Sequence, residues 1–149
     1  MRVTAFITLV LSLALTALGA SVAAQQPEAT AYRIIVHPDN PVTSVDRQFL
    51  ADAFLKKVTR WPDHRVMHPV DLRASAAPRS HFSKEVLKRS VAAIKAYWQQ
   101  RIFSGRGVPP PELGAEDDVV AYVLKYNGAV GYVSAAADLK GAKAVTVSW

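Results

Sequence analysis

Residues 32 to 62 hold the pattern that most limits the fold. Tyr32-Arg-Ile-Ile-Val36 is followed by His37-Pro-Asp-Asn-Pro41, then by an amphipathic stretch to Phe54-Leu-Lys-Lys57, then by Trp61-Pro62. The β-branched run reads as a buried strand over Tyr32–Val36. Asp39, Asn40 and Pro41 read as a tight turn, because these residues favour turn backbone angles and Pro cannot donate to a ladder. Thr43 or Ser44 is placed to cap a helix, whose Val45, Phe49, Leu50, Ala53 and Phe54 fall on one face. Lys56 and Lys57 sit at its end, where cations favour the helix dipole. A strand ending beside a helix start is a place where α/β proteins hold anions.

The later residues repeat this alternation. Trp61-Pro62-Asp63 is a turn and Val66–Leu72 a second strand. Arg73–Pro78 is a loop and Arg79–Leu87 a short helix. A longer helix is expected from Ser90 to about Phe103, with Val91, Ile94, Trp98 and Ile102 as its buried stripe. Gly105 and Gly107 stop it, and Pro109-Pro110-Pro111 is a stiff connector. Glu116-Asp117-Asp118 opens the next helix with acid in its first turn, and Asn127-Gly128 ends it. Ala129–Val133 and Lys143–Ser148 are the last strands. Strands alternating with helices imply an α/β architecture: a layered sheet with flanking helices.

Residues 1–24 read as a signal peptide. Arg2 supplies a positive start, Val3–Leu18 is apolar, and Val22-Ala-Ala24 offers small residues for cleavage. Residues 25–149 are then expected to form one exported, periplasmic or secreted domain with no membrane span. The chain has no cysteine, which excludes disulfides and leaves no lipid attachment at the cleavage site. Its formal net charge of +6 becomes +5 without Arg2. This suits anions in general, and no motif points to nucleic acid as a partner.

The first candidate site is the loop Arg73-Ala-Ser75-Ala-Ala-Pro78-Arg79-Ser80, between a strand and a helix. Backbone N–H groups at the helix start, the Ser75 and Ser80 hydroxyls, and the Arg73 and Arg79 guanidinium groups would together suit an oxyanion. Capping by a serine, with both arginines solvated, is the competing explanation. The second candidate is Asn40 with Thr43 and Ser44, where capping again accounts for the residues. A third, Ser104-Gly-Arg-Gly107, follows a helix, and a helix stop explains it better. Of the histidines at 37, 64, 68 and 81, His64 and His68 are four apart but lie on a turn and a strand rather than on one helical face, and with no cysteine and no clustered carboxylate no metal is expected. No nucleophile elbow and no carboxylate couple stands out, so no catalytic residue, enzyme activity or cofactor is assigned.

Val36-His-Pro-Asp-Asn-Pro-Val-Thr-Ser44, Phe54-Leu-Lys-Lys57 and Trp61-Pro62 resemble the second lobe of the phosphate-binding proteins of ABC transporters. That family shows an Asn-Pro-hydroxyl, helix, Phe-x-Gly-Lys, Trp progression. Phe82, Trp98, Phe103-Ser-Gly-Arg-Gly107 and Gly128-Ala-Val-Gly-Tyr-Val133 continue the likeness. The resemblance implies one lobe of a class II periplasmic solute-binding protein. It also implies inorganic phosphate or a similar oxyanion as ligand, an ABC permease or a second protein lobe as partner, and Arg73 and Ser75 as the best residue-level matches. The chain departs from the family in two ways. It has length for about one lobe, and Ser75-Ala-Ala77 stands where the family's phosphate loop carries Ser-Gly-Thr. These departures keep a second reading open, a periplasmic interaction or regulatory module that kept the fold without its ligand.

Overall fold

The computed structural model describes residues 31–149. The expected signal peptide, and the expected domain start at residue 25, lie outside the described residues. Seven strands and four helices follow one another along the described chain. They are β1 (Tyr32–Val36), β2 (Ser44–Asp46), α1 (Arg47–Phe54), β3 (His68–Pro69), β4 (Asp71–Leu72), α2 (Ala77–Glu85), α3 (Val91–Phe103), β5 (Glu112–Leu113), α4 (Glu116–Lys125), β6 (Ala129–Ser134) and β7 (Lys143–Ser148). Five strands form one sheet in the order β2-β7-β1-β6-β3, and β4 pairs with β5 beside it. The central strand β1 runs antiparallel to β6 and β7, with Ile34 opposite both Tyr132 and Val145. The edge strands β2 and β3 run parallel to β7 and β6.

Alternation along β1 and β6 sorts their side chains to two faces. Tyr32, Ile34 and Tyr132 share one face, where Phe54 of α1 and Phe82 of α2 cover them. Phe82 stacks flat on Tyr132 with ring centroids 4.0 Å apart, and Phe54 approaches Phe82 at 4.6 Å. Gly131 belongs to the opposite face, under α4. A Cβ there would lie 2.8 Å from Val119 Cγ1 and 2.9 Å from Val70 Cγ1, so the glycine lets α4 approach the strand closely. The sheet is thus enclosed between α1 with α2 and α4, while α3 packs on α2 and has Ile94 and Trp98 buried. This is the expected layered α/β architecture.

Local chemistry accounts for the element ends. Asp46 caps α1, its Oδ1 accepting the Phe49 N–H at 2.9 Å. Thr43 and Ser44, expected as caps, lie upstream, with Ser44 in β2. Ser90 caps α3 by accepting from the Ala93 N–H. Helices α1 and α3 end alike. Lys57 N–H bonds to Asp52 O and Lys56 N–H to Ala53 O, while Arg106 N–H bonds to Arg101 O and Gly105 N–H to Ile102 O. This six-to-one and five-to-two pair places the residue after the cap in the left-handed region. In α3 that residue is Gly105 (φ 68°); in α1 it is Lys56 (φ 53°). The position where the resembling family carries glycine in Phe-x-Gly-Lys is therefore one that favours glycine physically.

The expected strand over Val66–Leu72 divides in two. Pro69 has no N–H to continue a ladder, which confines it to the edge of the sheet. Val70 N–H still reaches Val130 O, but Asp71 N–H turns to Pro111 O and the chain pairs with β5. The next helix begins two residues before Arg79. In the expected core, Ile34, Phe54, Ile94 and Trp98 are buried, whereas Phe49 and Val91 are half-buried and Ile102 is exposed.

Candidate functional site

The loop between β4 and α2 is set by a turn. Ala76 N–H donates to Arg73 O at 3.0 Å, and Arg73 N–H extends the β4–β5 pairing to Leu113 O. Arg73, Ala74 and Ser75 are left exposed at its tip. Helix α2 begins after Ala76, which has no side-chain oxygen, and no side chain caps it. Ser75 and Ser80 therefore do not act as caps. The second helical residue, Pro78, carries no N–H, and the Arg79 N–H is used by Ala76 O. The helix start thus offers fewer backbone donors than an ordinary one. Ser80 is exposed one turn along, on the helix that follows Arg73 and Ser75.

Arg79 points elsewhere. Its side chain is only 3% exposed and forms an ion pair with Asp71, itself 6% exposed. Nη1 also faces Leu72 O at 3.4 Å, and Nη2 lies 3.9 Å from Glu112 Oε1. The Asp71 Oδ1 accepts from the Tyr132 hydroxyl and from the Leu72 N–H. Burial pushes the Tyr132 hydroxyl above its ordinary range, and the Arg79 charge only partly offsets this. Tyr132 therefore stays a proton donor to the carboxylate. Burying an ion pair is tolerable only when further hydrogen bonds complete it, and Tyr132 and Leu72 serve that purpose for Asp71. Arg79 is thus a support for the loop, and its charge is largely spent on Asp71. The signal for this network was Asp71 itself, an acid between Val70 and Leu72 in an apolar run, which requires a buried partner. Nothing in the spacing identified Tyr132, 61 residues away.

The second set of candidates lies elsewhere. Past Val36, which pairs with Val130 and Lys143, the chain leaves the sheet toward Asn40. Past Pro69, which also pairs with Val130, the chain runs parallel to β6 in the opposite sense toward Arg73. The fold therefore does not bring Asn40 together with the Arg73 loop. Asn40 is 1% exposed, accepts the Val42 N–H on Oδ1 and holds Lys143 through its carbonyl, which makes it a turn residue. Thr43 O accepts the Thr146 N–H, and Ser44 is an exposed β2 residue opposite Thr146. Ser104 to Gly107 form the stop of α3. Among the described residues no group of three His, Cys, Asp or Glu is placed to hold a metal ion, and no helix is long and apolar enough to cross a membrane.

No known family's sequence profile and no curated protein matches this chain. Solved structures do. An ABC-type phosphate transport receptor from Vibrio cholerae superposes with a TM-score of 0.61 at 21% identity, over 78% of this chain and 46% of that one. A structure from Clostridium perfringens, described as a phosphate ABC transporter substrate-binding protein with bound phosphate, gives 0.61 at 18% identity, over 78% and 44%. PstS from Borrelia burgdorferi gives 0.60 at 15% identity, over 79% and 47%. The chain therefore has the fold of part of these transport proteins and spans somewhat under half their length. That is the one-lobe fold expected from the resemblance in the sequence.

Proposed function

We propose that this chain is an exported, periplasmic solute-binding-like protein that holds phosphate or a related oxyanion at the start of α2, in the service of an ABC transporter. The observation that carries the reading is the exposure of Arg73 and Ser75 together on the turn that leads into α2. The helix dipole favours negative charge there, and the Arg73 guanidinium and the Ser75 and Ser80 hydroxyls supply hydrogen bonds. Arg79 acts behind them by fixing β4 and the first turn of α2. The fold of phosphate transport receptors supports the same reading. Catalysis is not part of it.

Binding is expected to be weak. One open wall leaves water in contact with the anion, which places affinity at roughly micromolar to millimolar, about −8 to −4 kcal/mol. Added salt should weaken it. Calorimetry with phosphate and sulfate, on the natural protein and on Arg73→Gln, tests the reading. Loss of binding in the variant supports it, and equal binding in both proteins rules out this loop.

A second reading, an interaction module that has lost its ligand, draws on a different observation. Phe103 is 96% exposed at the end of α3, with Ile102 and Val108 exposed nearby. If the natural protein binds neither anion, this reading takes precedence.

A further inference from the structure

The end of α3 brings exposed apolar side chains and unpaired cations together. Phe103, the last helical residue, is almost fully exposed, and Ile102 and Val108 are exposed as well. The turn that stops the helix carries Arg101 and Arg106, one on each side of Phe103 in the chain. It is closed by Arg106 N–H donating to Arg101 O and by Arg101 Nη2 donating to Arg106 O at 2.9 Å. Over residues 86–111 the chain has Lys88, Arg89, Lys95, Arg101 and Arg106 but no acid. Among the described residues none of these five cations forms a salt bridge. A solvated basic helix is ordinary. An adjoining group of bare apolar side chains is not, because a partner that covers it recovers the free energy of removing that surface from water.

We propose that the α3 tip docks on an anionic lipid surface, with Phe103 and Ile102 entering the boundary between headgroups and acyl chains and with Arg101 and Arg106 facing lipid phosphates. Large apolar side chains beside basic ones are what holds a helix at such an interface. Charge selects the partner's sign. A helix C-terminus carries about half a negative charge, which the two guanidinium charges outweigh. A second copy of this chain, joined tip to tip, would set the same cations against each other. An acidic protein would satisfy the cations, but it would need a shaped pocket to cover a side chain that stands as clear of its own surface as Phe103 does. Fluid acyl chains cover it without one. The contact is peripheral, since no helix among the described residues is long and apolar enough to cross a membrane. It does not depend on anion binding at the Arg73 turn.

The chain has no cysteine, so Ser104→Cys gives one labelling site at the tip. An environment-sensitive fluorophore there, on the full chain, is followed during titration with phosphatidylcholine vesicles containing an equal part of phosphatidylglycerol. The readout sits on the tip because the run Val3–Leu18 is apolar enough to enter lipid by itself. Emission should shift to the blue and saturate, and pure phosphatidylcholine vesicles should bind at least about tenfold more weakly. Phe103→Ser should weaken binding by about tenfold or more while the thermal midpoint stays as in the natural protein. Arg106→Gln should weaken it about fivefold. Raising salt from about 0.1 M to about 1 M should weaken it at least about tenfold. No blue shift, equal affinity for the two vesicles, or undiminished binding by Phe103→Ser would each overturn the proposal. Arg73→Gln should leave vesicle affinity unchanged, and loss of binding in that variant would assign the lipid phosphate to the Arg73 turn and overturn the tip. A dimer in sedimentation that Phe103→Ser dissolves would put a second copy on the tip and overturn it equally. Vesicle binding by a protein that holds no free phosphate supports the tip and rejects the oxyanion reading, so the two fail separately.

Discussion

Replacing Arg73 and Arg79 separately with Gln should divide two roles that sit six residues apart. Arg79 and Asp71 are each almost fully buried and paired. Removing one member of a buried pair leaves an uncompensated charge and costs about 3–5 kcal/mol. Asp71 keeps hydrogen bonds from Tyr132 and Leu72, which puts Arg79→Gln at the lower end, about 3 kcal/mol. For a chain of this size about 4 °C accompanies each kcal/mol, so the midpoint should fall by roughly 12 °C. Arg73 is exposed, and Arg73→Gln should stay within about 0.5 kcal/mol of the natural protein, or about 2 °C. Circular dichroism melts and urea titrations measure both. The double variant Asp71→Asn with Arg79→Gln should recover about 1–3 kcal/mol of the summed losses, because a neutral pair no longer strands a charge. An Arg79→Gln midpoint within about 2 °C of the natural protein would refute the buried-pair argument. An additive double variant would refute it equally.

Lys56→Gly should raise stability by about 0.5–1 kcal/mol, since left-handed geometry costs an L-residue about 1–2 kcal/mol and glycine gives back part through chain entropy; urea midpoints check this. Gly131→Ala should destabilise by about 1–3 kcal/mol, because its Cβ would press on Val119 and Val70, and a thermal melt unchanged from the natural protein would show that α4 does not pack so closely. The buried Tyr132 hydroxyl, held above its ordinary range by burial, contributes stability that is complete below the unfolded tyrosine value of about 10 and is lost as pH rises beyond it. Tyr32 is raised in the same direction, by burial first and then by the nearby Glu85 carboxylate. Urea midpoints between pH 8 and 11.5 should therefore fall less steeply in Tyr132→Phe than in the natural protein, and parallel slopes would contradict that assignment.

What the amino-acid order determined alone is what rests on local physics. Tyr32–Val36 and Lys143–Ser148 were legible as strands because alternation and β-branching act within a few residues. The α3 boundaries followed from Ser90 before the helix and Gly105 after it, a cap and a left-handed stop that need no tertiary partner. The repeated strand-helix alternation likewise specified an α/β layer. Tertiary structure decided the rest. Whether Ser44 caps a helix or joins β7 depends on a strand about a hundred residues away. The division of Val66–Leu72 depends on where Pro69 meets the sheet edge and on β5 being near to take Asp71. The two arginines show the difference most directly. Arg73 and Arg79 look alike in a basic, serine-containing loop, and both read as anion ligands. Only the fold sets Asp71 and the Tyr132 hydroxyl beside one of them, because side chains 61 residues apart meet through sheet register and aromatic packing, which no local pattern encodes. That placement turns one arginine inward as structure and leaves the other on the exposed turn.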